Sequence, residues 1–334
     1  MSFKPVILWT DALVYLLVAG LFVFAWYVWR NEHLLVPWRR VAHSASGMSA
    51  LTVLVFFISV GMLDTMHFRP AIENGGGGMG ETAYSVEVLS LLDLVAAPLR
   101  TRVEKTYSAP FAAHLYAKET VELPDGGQVR EFPRLKYGGA HLQDPETERM
   151  ADVIRRSAAG AAMGLVIWGF AIVSLGILLG RGDGKGWRCA LSAVFCGSTA
   201  VPWRAICITL ALMLLFSGAA LALCGYYHIF GTDKVGQDVF YQSLKGVRTG
   251  LVIGTLTTLM MLPFALLLGI TAGYFRGWAD DIIQYLYTTL SSIPGVLLIA
   301  AAVLMMQVYM ETHPELFDTI AARADLRLLF LCLI

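Results

Sequence analysis

The chain has 334 residues, of which 57% are hydrophobic and 15% charged, and its mean hydropathy is +0.63. An ordinary soluble domain carries roughly a quarter charged residues, so this composition excludes a cytosolic enzyme with a polar surface all round and places most of the mass in lipid. Its 25 basic and 25 acidic residues cancel, leaving no global charge to attract nucleic acid.

Six apolar blocks are long enough to cross a bilayer, which takes about 20 residues. They cover 5–29, 44–63, 158–180, 205–227, 251–274 and 282–310, and a seventh begins at 326 and is cut off at 334. The expected fold is therefore an all-α polytopic membrane protein: about six full transmembrane helices, a truncated seventh and a small mixed α/β extracytoplasmic lobe. The first block reads as a span and not as a cleavable signal peptide, because its apolar run is too long and Asp11 lies inside it. The acid stands near the outer end of that span, within reach of water or a neighbouring helix.

Short loops set the orientation. Arg30, Arg39 and Arg40 oppose Glu32 between the first two blocks, and Arg181, Lys185, Arg188 and Arg204 oppose Asp183 between the third and fourth. Both basic loops then face the cytoplasm, which puts the N-terminus and residues 64–157, 227–250 and 311–325 outside. The segment Val36-Pro37-Trp38-Arg39 recurs as Val201-Pro202-Trp203-Arg204, each copy just before an inside-to-outside span. Tryptophan and arginine suit that interface with or without an ancestral duplication.

The long outer loop opens with Gly75-Gly76-Gly77-Gly78. In 84–99, Val88, Leu91, Leu92 and Val95 are spaced like one helix face. Pro124-Asp125-Gly126-Gly127 reads as a hairpin turn, and Asp144-Pro145 as a helix start running into the third span. Tyr107, Phe111, Tyr116, Phe132 and Tyr137 are expected to form the small core of the lobe, with a ligand surface as the other reading. The cysteines read as small apolar residues. The histidines repeat at no metal-ligand spacing, so no metal is expected.

The segment Gly231-Thr232-Asp233-Lys234-Val235-Gly236-Gln237-Asp238 carries the clearest functional signal. Its glycines permit tight turns, and Asp233 is expected to cap a short helix along the outer interface, with Val239, Phe240, Ser243, Leu244 and Val247 on one stripe. In the fifth span Gly254 and Gly269 allow close helix contact, and Pro263 removes a backbone donor. The span exits through Gly273-Tyr274-Phe275-Arg276-Gly277-Trp278. Thr288, Thr289, Ser291 and Ser292 then precede Ile293-Pro294-Gly295. These hydroxyls either line a translocation pathway or bond to backbone carbonyls around the proline.

These three motifs, G-T-D-x-x-G-x-D-V, A-G-Y-F-x-G-W-x-D and I-P-G-x-L-L, resemble the inner-membrane permease subunits of binding-protein-dependent ABC importers of the oligopeptide/dipeptide class, in a long extracytoplasmic-loop variant. The resemblance covers about 205–334. Gln237 stands where the family usually has arginine, and the family's E-A-A-type loop, which docks on the ATPase, is expected beyond residue 334, so the chain reads as C-terminally incomplete. The resemblance implies a bacterial inner-membrane location, a second permease subunit, two ATP-binding subunits, an extracytoplasmic solute-binding protein and surrounding membrane lipid as partners. It implies no cofactor of the chain's own, since ATP is used by the partner subunits, and no G-x-x-x-x-G-K-[ST] occurs here. Gly231, Thr232, Asp233, Gly236, Gln237 and Asp238 become candidates for outer docking or capping. Thr288, Ser291, Ser292 and Pro294 become candidates for the pathway, and Gly254, Pro263, Gly269 and Gly273 for helix packing and kinking. No catalytic residue is expected.

The organisation expected is an N-terminal helix pair (1–63), the outer lobe (64–157), the third and fourth spans (158–227), the outer motif and interfacial helix (228–250), and the start of a permease core lacking its coupling loop (251–334). The function implied is import of di- or oligopeptides. The alternatives are another small solute such as a nickel chelate, and a non-transporting membrane scaffold or sensor that uses the 64–157 lobe.

Overall fold

A computed structural model describes residues 3–71, 84–122, 128–183, 186–197, 199–313 and 320–333. The four-glycine run at 75–78, the turn at 124–127 and Lys185 lie outside the described residues. Among the described residues, six helices are long and apolar enough to cross a membrane: α1 (Trp9–Arg30), α3 (Ala45–Thr65), α6 (Pro145–Asp183), α8 (Trp203–Cys224), α9 (Val239–Phe275) and α11 (Gly295–Thr312). The fold is that of an all-α polytopic membrane protein with a small β region. The chain divides into two compact units, one built from Met1–Phe24, Val60–Leu94 and Gly246–Ile334, the other from Ala25–Ser59 and Val95–Lys245.

In the first unit, strands β1 (Phe3–Val6), β2 (His67–Pro70) and β3 (Leu89–Ser90) form an antiparallel sheet, with Phe3 opposite Pro70 and Val6 opposite His67. Residues 5–6 were expected to begin the first span, but they pair within strand β1, and the helix starts at Trp9. This pairing sets the start of α1 beside the end of α3. Val252 and Leu256 of α9 pack against Leu13 and Val14 of α1 and Leu328 of α12 (Ile320–Leu333). Gly61 admits close approach, since a Cβ there would lie 2.9 Å from Leu251 Cδ1.

The expected sixth span at 282–310 is divided. Helix α10 (Trp278–Ser291) ends at a Ser292 cap, and α11 starts after Pro294, whose φ of −59° suits a helix entry. A residue before proline is pushed out of the α region, so the helix stops there although hydropathy stays high. Within the lobe, 84–99 holds β3 and two five-residue helices, α4 (Leu91–Val95) and α5 (Ala97–Thr101), in place of one helix. Leu92 is buried while Val95 is exposed, so the expected stripe is not a face.

In the second unit, α6 packs along α8. A Cβ on Gly160 would come within 2.3 Å of Gly218 O, one on Gly164 within 2.2 Å of Leu214 O, and one on Gly218 within 2.4 Å of Gly160 O. The glycines therefore let the two backbones touch, as small residues do between membrane helices. Short helix α7 (Trp187–Cys196) folds back so that Val194 joins Ile172 and Cys207 in a core, and Trp168 Nε1 donates to Cys207 O at 2.8 Å. Asp144 and Glu148 cap α6 reciprocally: Asp144 Oδ1 accepts from Glu146 N, and Glu148 Oε2 accepts from Gln143 N. The helix then runs unbroken from Pro145 into the third span.

The hairpin expected at 124–127 has its two arms, β4 (Glu119–Glu122) and β5 (Gln128–Glu131), paired antiparallel. The lobe's core differs from expectation. It is built from Ala112, Leu115 and Leu135, from Ala96, Leu99 and Tyr241, and from Leu142, Leu223, Tyr227 and Ile229 with Phe111 against them. Tyr107, Tyr116 and Phe132 are exposed. Lys118 covers the Phe132 ring from 5.3 Å. Aromatic size alone did not distinguish a core position from a surface one.

Cys207 is buried, but Cys189 and Cys196 are exposed. The two Val-Pro-Trp-Arg copies have different roles. Pro37 lies inside helix α2 (Glu32–His43), whereas Pro202 is the N-cap of α8.

Candidate functional site

The glycine–threonine–aspartate segment is a loop fastened to the lobe. Gly231 (φ +75°) and Gly236 (φ +81°) occupy the left-handed region. Each also abuts a carbonyl: a Cβ at Gly231 would lie 2.2 Å from Ser108 O, and one at Gly236 1.8 Å from Glu104 O. Conformation and contact both demand glycine. The Thr232 hydroxyl bonds Thr106 O at 2.7 Å and Ser108 Oγ at 3.0 Å, and Glu104 N donates to Gly236 O at 2.8 Å. Residues 231–238 are thereby stitched to 104–108.

The helix cap expected of Asp233 falls to Asp238. Asp238, not Asp233, caps the helix: α9 begins at Val239, and Asp238 Oδ1 accepts from Phe240 N (2.8 Å) and Tyr241 N (3.2 Å). Asp233 closes the loop itself, its Oδ1 accepting from Val235 N and Gln237 N and its Oδ2 from Gln242 Nε2 at 2.6 Å. Burial opposes ionisation of Asp233, but those hydrogen bonds, led by that of Gln242, outweigh it and hold the carboxyl below its ordinary range. No separate interfacial helix follows, since α9 is continuous for 37 residues and runs through Pro263. Only Lys234, Val235 and Gln237 of the segment are exposed.

Beneath the loop lies a buried charged trio. His228 Nδ1 meets Asp238 Oδ2 at 2.7 Å, and its Nε2 faces Glu104 Oε1 at 3.4 Å. Glu104 also accepts the backbone N–H groups of Lys136 (2.9 Å), Tyr137 (2.7 Å) and Gly138 (3.3 Å). Burial would strip the proton from His228, but hydrogen bonds to Asp238 and Glu104 overcome it and push the imidazole up to about 9. Burial would likewise protonate Glu104, yet the bond from His228 and the three N–H donors hold it down to about 2. At neutral pH the imidazole is a cation held between Asp238 and the Glu104 carboxylate. Sequence reading missed it because His228 and Glu104 stand 124 positions apart. Beside it, the phenol of Tyr227 donates to Asp152 Oδ2 at 2.9 Å, a carboxylate that also receives His141, Arg155 and Arg156. Burial, then that bond, push the phenol up to about 12.

In the first unit, Asp11 is fully buried. It accepts from Leu8 N, faces His67 Nδ1 at 2.8 Å and is paired with Arg248, which also donates to Thr10 Oγ1 at 2.8 Å. A neighbouring helix thus satisfies the acid. Asp64 Oδ1 and Arg69 Nε are buried without a partner among the described residues.

The remaining candidates face outward from the chain. The hydroxyls of Thr288, Thr289 and Ser292 donate to Gln284 O (2.8 Å), Tyr285 O (2.8 Å) and Thr289 O (2.6 Å), so they are occupied by backbone carbonyls beside Pro294. Ser291 is exposed on the same helix end. Nothing lies within 4 Å of a Cβ built on Gly254, Gly269 or Gly273. Among the described residues, then, those glycines make no close helix contact.

No protein-family model and no solved structure matches the chain. It is similar to transport permeases from several bacteria. The glutathione transport system permease protein GsiD of Pectobacterium atrosepticum is 39% identical over 79 residues, 24% of this chain and 26% of that protein. The oligopeptide transport system permease protein OppC of Mycobacterium bovis is 33% identical over 76 residues, 23% of this chain and 26% of that one. The dipeptide transport system permease protein DppC of Alkalihalophilus pseudofirmus is 36% identical over 76 residues, 23% and 25% respectively. The chain spans about a quarter of the length of these curated relatives.

Proposed function

We propose that this protein is a permease subunit of an ABC importer that carries short peptides across the bacterial inner membrane. The observation that carries the proposal is the loop at 231–238. It has the family's glycine–threonine–aspartate pattern, and both glycines occupy positions where backbone geometry and a facing carbonyl admit no side chain. Similarity to permeases for glutathione, oligopeptides and dipeptides points to the same cargo class, a short chain of amide bonds with charged ends. In this reading a second permease subunit completes the pathway, two ATP-binding subunits drive it, and an extracytoplasmic solute-binding protein delivers the peptide. The chain itself does no chemistry on its cargo.

The N-terminus, the lobe and residues 231–238 face outside. Two features support that common side: β1 pairs with β2 across the first helix pair, and Arg248 at the head of α9 meets Asp11 at the head of α1. In this reading Thr232 and Gly236 fasten the loop to the lobe, Asp233 holds the loop's shape, Asp238 caps α9, and the exposed Lys234, Val235 and Gln237 offer the docking surface. Gly254, Gly269 and Gly273 meet the second permease, and Thr288, Ser291, Ser292 and Pro294 border the pathway in the assembled complex, where α10 and α11 acquire neighbours.

Uptake decides the matter. A strain lacking the gene should fail to accumulate a labelled dipeptide, a labelled oligopeptide or labelled glutathione, and the full-length gene should restore at least one. Unchanged uptake of all three, together with failure to co-purify an ATP-binding subunit, would leave the scaffold reading in its place.

A further inference from the structure

Helix α2 (Glu32–His43) lies outside the transport machinery proposed above, yet its pattern is amphipathic, with Val36 the one large apolar residue on the polar side. At 100° per residue, Leu34, Leu35, Trp38, Val41 and Ala42 share one arc, and Glu32, His33, Arg39, Arg40 and His43 share the other. None of its residues is buried, and Trp38 and Val41 on the apolar arc are 55% and 46% exposed. A soluble protein does not leave such a stripe uncovered.

Chain connectivity limits where this stripe can lie. Only Asn31 separates α2 from α1, and only Ser44 separates it from α3. Both joints are tied: Asn31 Nδ2 donates to Tyr27 O at 2.7 Å, and Ser44 Oγ accepts from Gly47 N at 3.3 Å while Ser44 N donates to Val41 O at 3.0 Å. The 22 residues of α1 and 21 of α3 each cover about 30 Å, the thickness of the hydrocarbon core. The far ends of these spans are therefore at one membrane face, and a 12-residue helix held at both ends lies along that face.

The charge there is one-sided. Arg30, Arg39 and Arg40 stand against Glu32, three positive charges to one negative. Arg39 falls at the edge of the apolar arc, within snorkelling reach of a phosphate, and the Arg30 guanidinium stacks 4.2 Å from the Trp26 ring at the end of α1. We infer that α2 is an interfacial helix that docks on anionic phospholipid, with Leu34, Leu35, Trp38 and Val41 at the acyl boundary and Arg39 and Arg40 among the headgroup phosphates. This does not depend on the transport reading, only on the spans that flank the helix.

The test uses the full-length chain with its native cysteines replaced by alanine, reconstituted in phosphatidylcholine vesicles with or without phosphatidylglycerol. An environment-sensitive fluorophore is placed on Val41→Cys or Ala42→Cys of the apolar arc, and on His33→Cys of the polar arc. Both apolar-arc probes should emit at shorter wavelength than the polar-arc probe and be quenched by lipid nitroxides near the headgroup. Phosphatidylglycerol should strengthen that quenching, and R39Q/R40Q should remove the gain, by about fivefold per arginine in the docking equilibrium. Equal aqueous quenching of all three probes would overturn the proposal. So would burial of the apolar arc that is indifferent to phosphatidylglycerol and to R39Q/R40Q, since that would show protein, not anionic lipid, covering the face.

Discussion

The loop at 231–238 and the helices from Gly254 to Thr312 both carry motifs of the same family pattern, but the structure treats them in opposite ways. In the loop both glycines press on carbonyls, and both aspartates have their oxygens engaged. In the helices, among the described residues, the glycines face open space, and the hydroxyls of Thr288, Thr289 and Ser292 bond to their own helix's backbone. The first region is explained by this chain alone. The second keeps small residues that meet no other part of the chain among the described residues, as expected where lipid or another subunit supplies the contact.

Substitutions sharpen that contrast. Gly236→Ala should have the largest effect, about 4 kcal/mol, because a methyl group meets both an unfavourable φ and a carbonyl. Gly254→Ala should leave the isolated chain's unfolding unchanged or slightly raised, and any defect should appear only in assembly with a partner. Chemical unfolding in mixed micelles compares the two directly. Equal losses for both would erase the distinction between the regions.

Glu104→Ala should cost about 3 kcal/mol, since it leaves three N–H groups, that of Gly138 buried and the other two partly so, without their acceptor and weakens the pairing of the His228 cation. Thermal unfolding should show that loss in Glu104→Ala and much less in Lys234→Ala, at the exposed tip of the loop.

The trio also predicts a pH profile. His228 titrates at about 9 when folded against an ordinary value of 6.5, so its contribution is complete below pH 6.5, falls as pH rises and is gone above about 9. The loss amounts to at most about 3 kcal/mol. Glu104, at about 2 against 4.5, contributes fully above pH 4.5 and loses its contribution as pH falls toward 2. Between pH 6.5 and 9 His228→Gln should flatten the unfolding profile, and an unchanged alkaline slope in that variant would remove the histidine from the account. The smallest effect is expected for Thr288→Ala with Ser292→Ala, within about 0.5 kcal/mol for folding. Under the proposed function, a drop in peptide uptake without a change in unfolding would then assign these hydroxyls to the pathway.

Much of this architecture could be read from the residues in order. Apolar runs of about 20 residues marked the spans, and Asp144-Pro145 marked the start of α6, because both are local signals. The glycine–threonine–aspartate pattern marked its loop, although the cap moved from Asp233 to Asp238: a capping assignment needs to know where the helix begins, and spacing alone left that open by several residues. The break at Pro294 was hidden because hydropathy averages over it, and α2 and α7 were hidden inside basic loops. The Glu104–His228 and Asp11–Arg248 pairs lay out of reach, since each joins residues more than a hundred positions apart.

Sidedness is the claim on which the peptide-importer reading depends most. A membrane-impermeant thiol reagent applied to intact cells tests it, with Lys234→Cys and Arg39→Cys in chains whose native cysteines are replaced. The account predicts that position 234 is labelled at once and position 39 only after the membrane is opened. Labelling of position 39 alone from outside would reverse the orientation, turn the fastened loop toward the cytoplasm and contradict the importer reading.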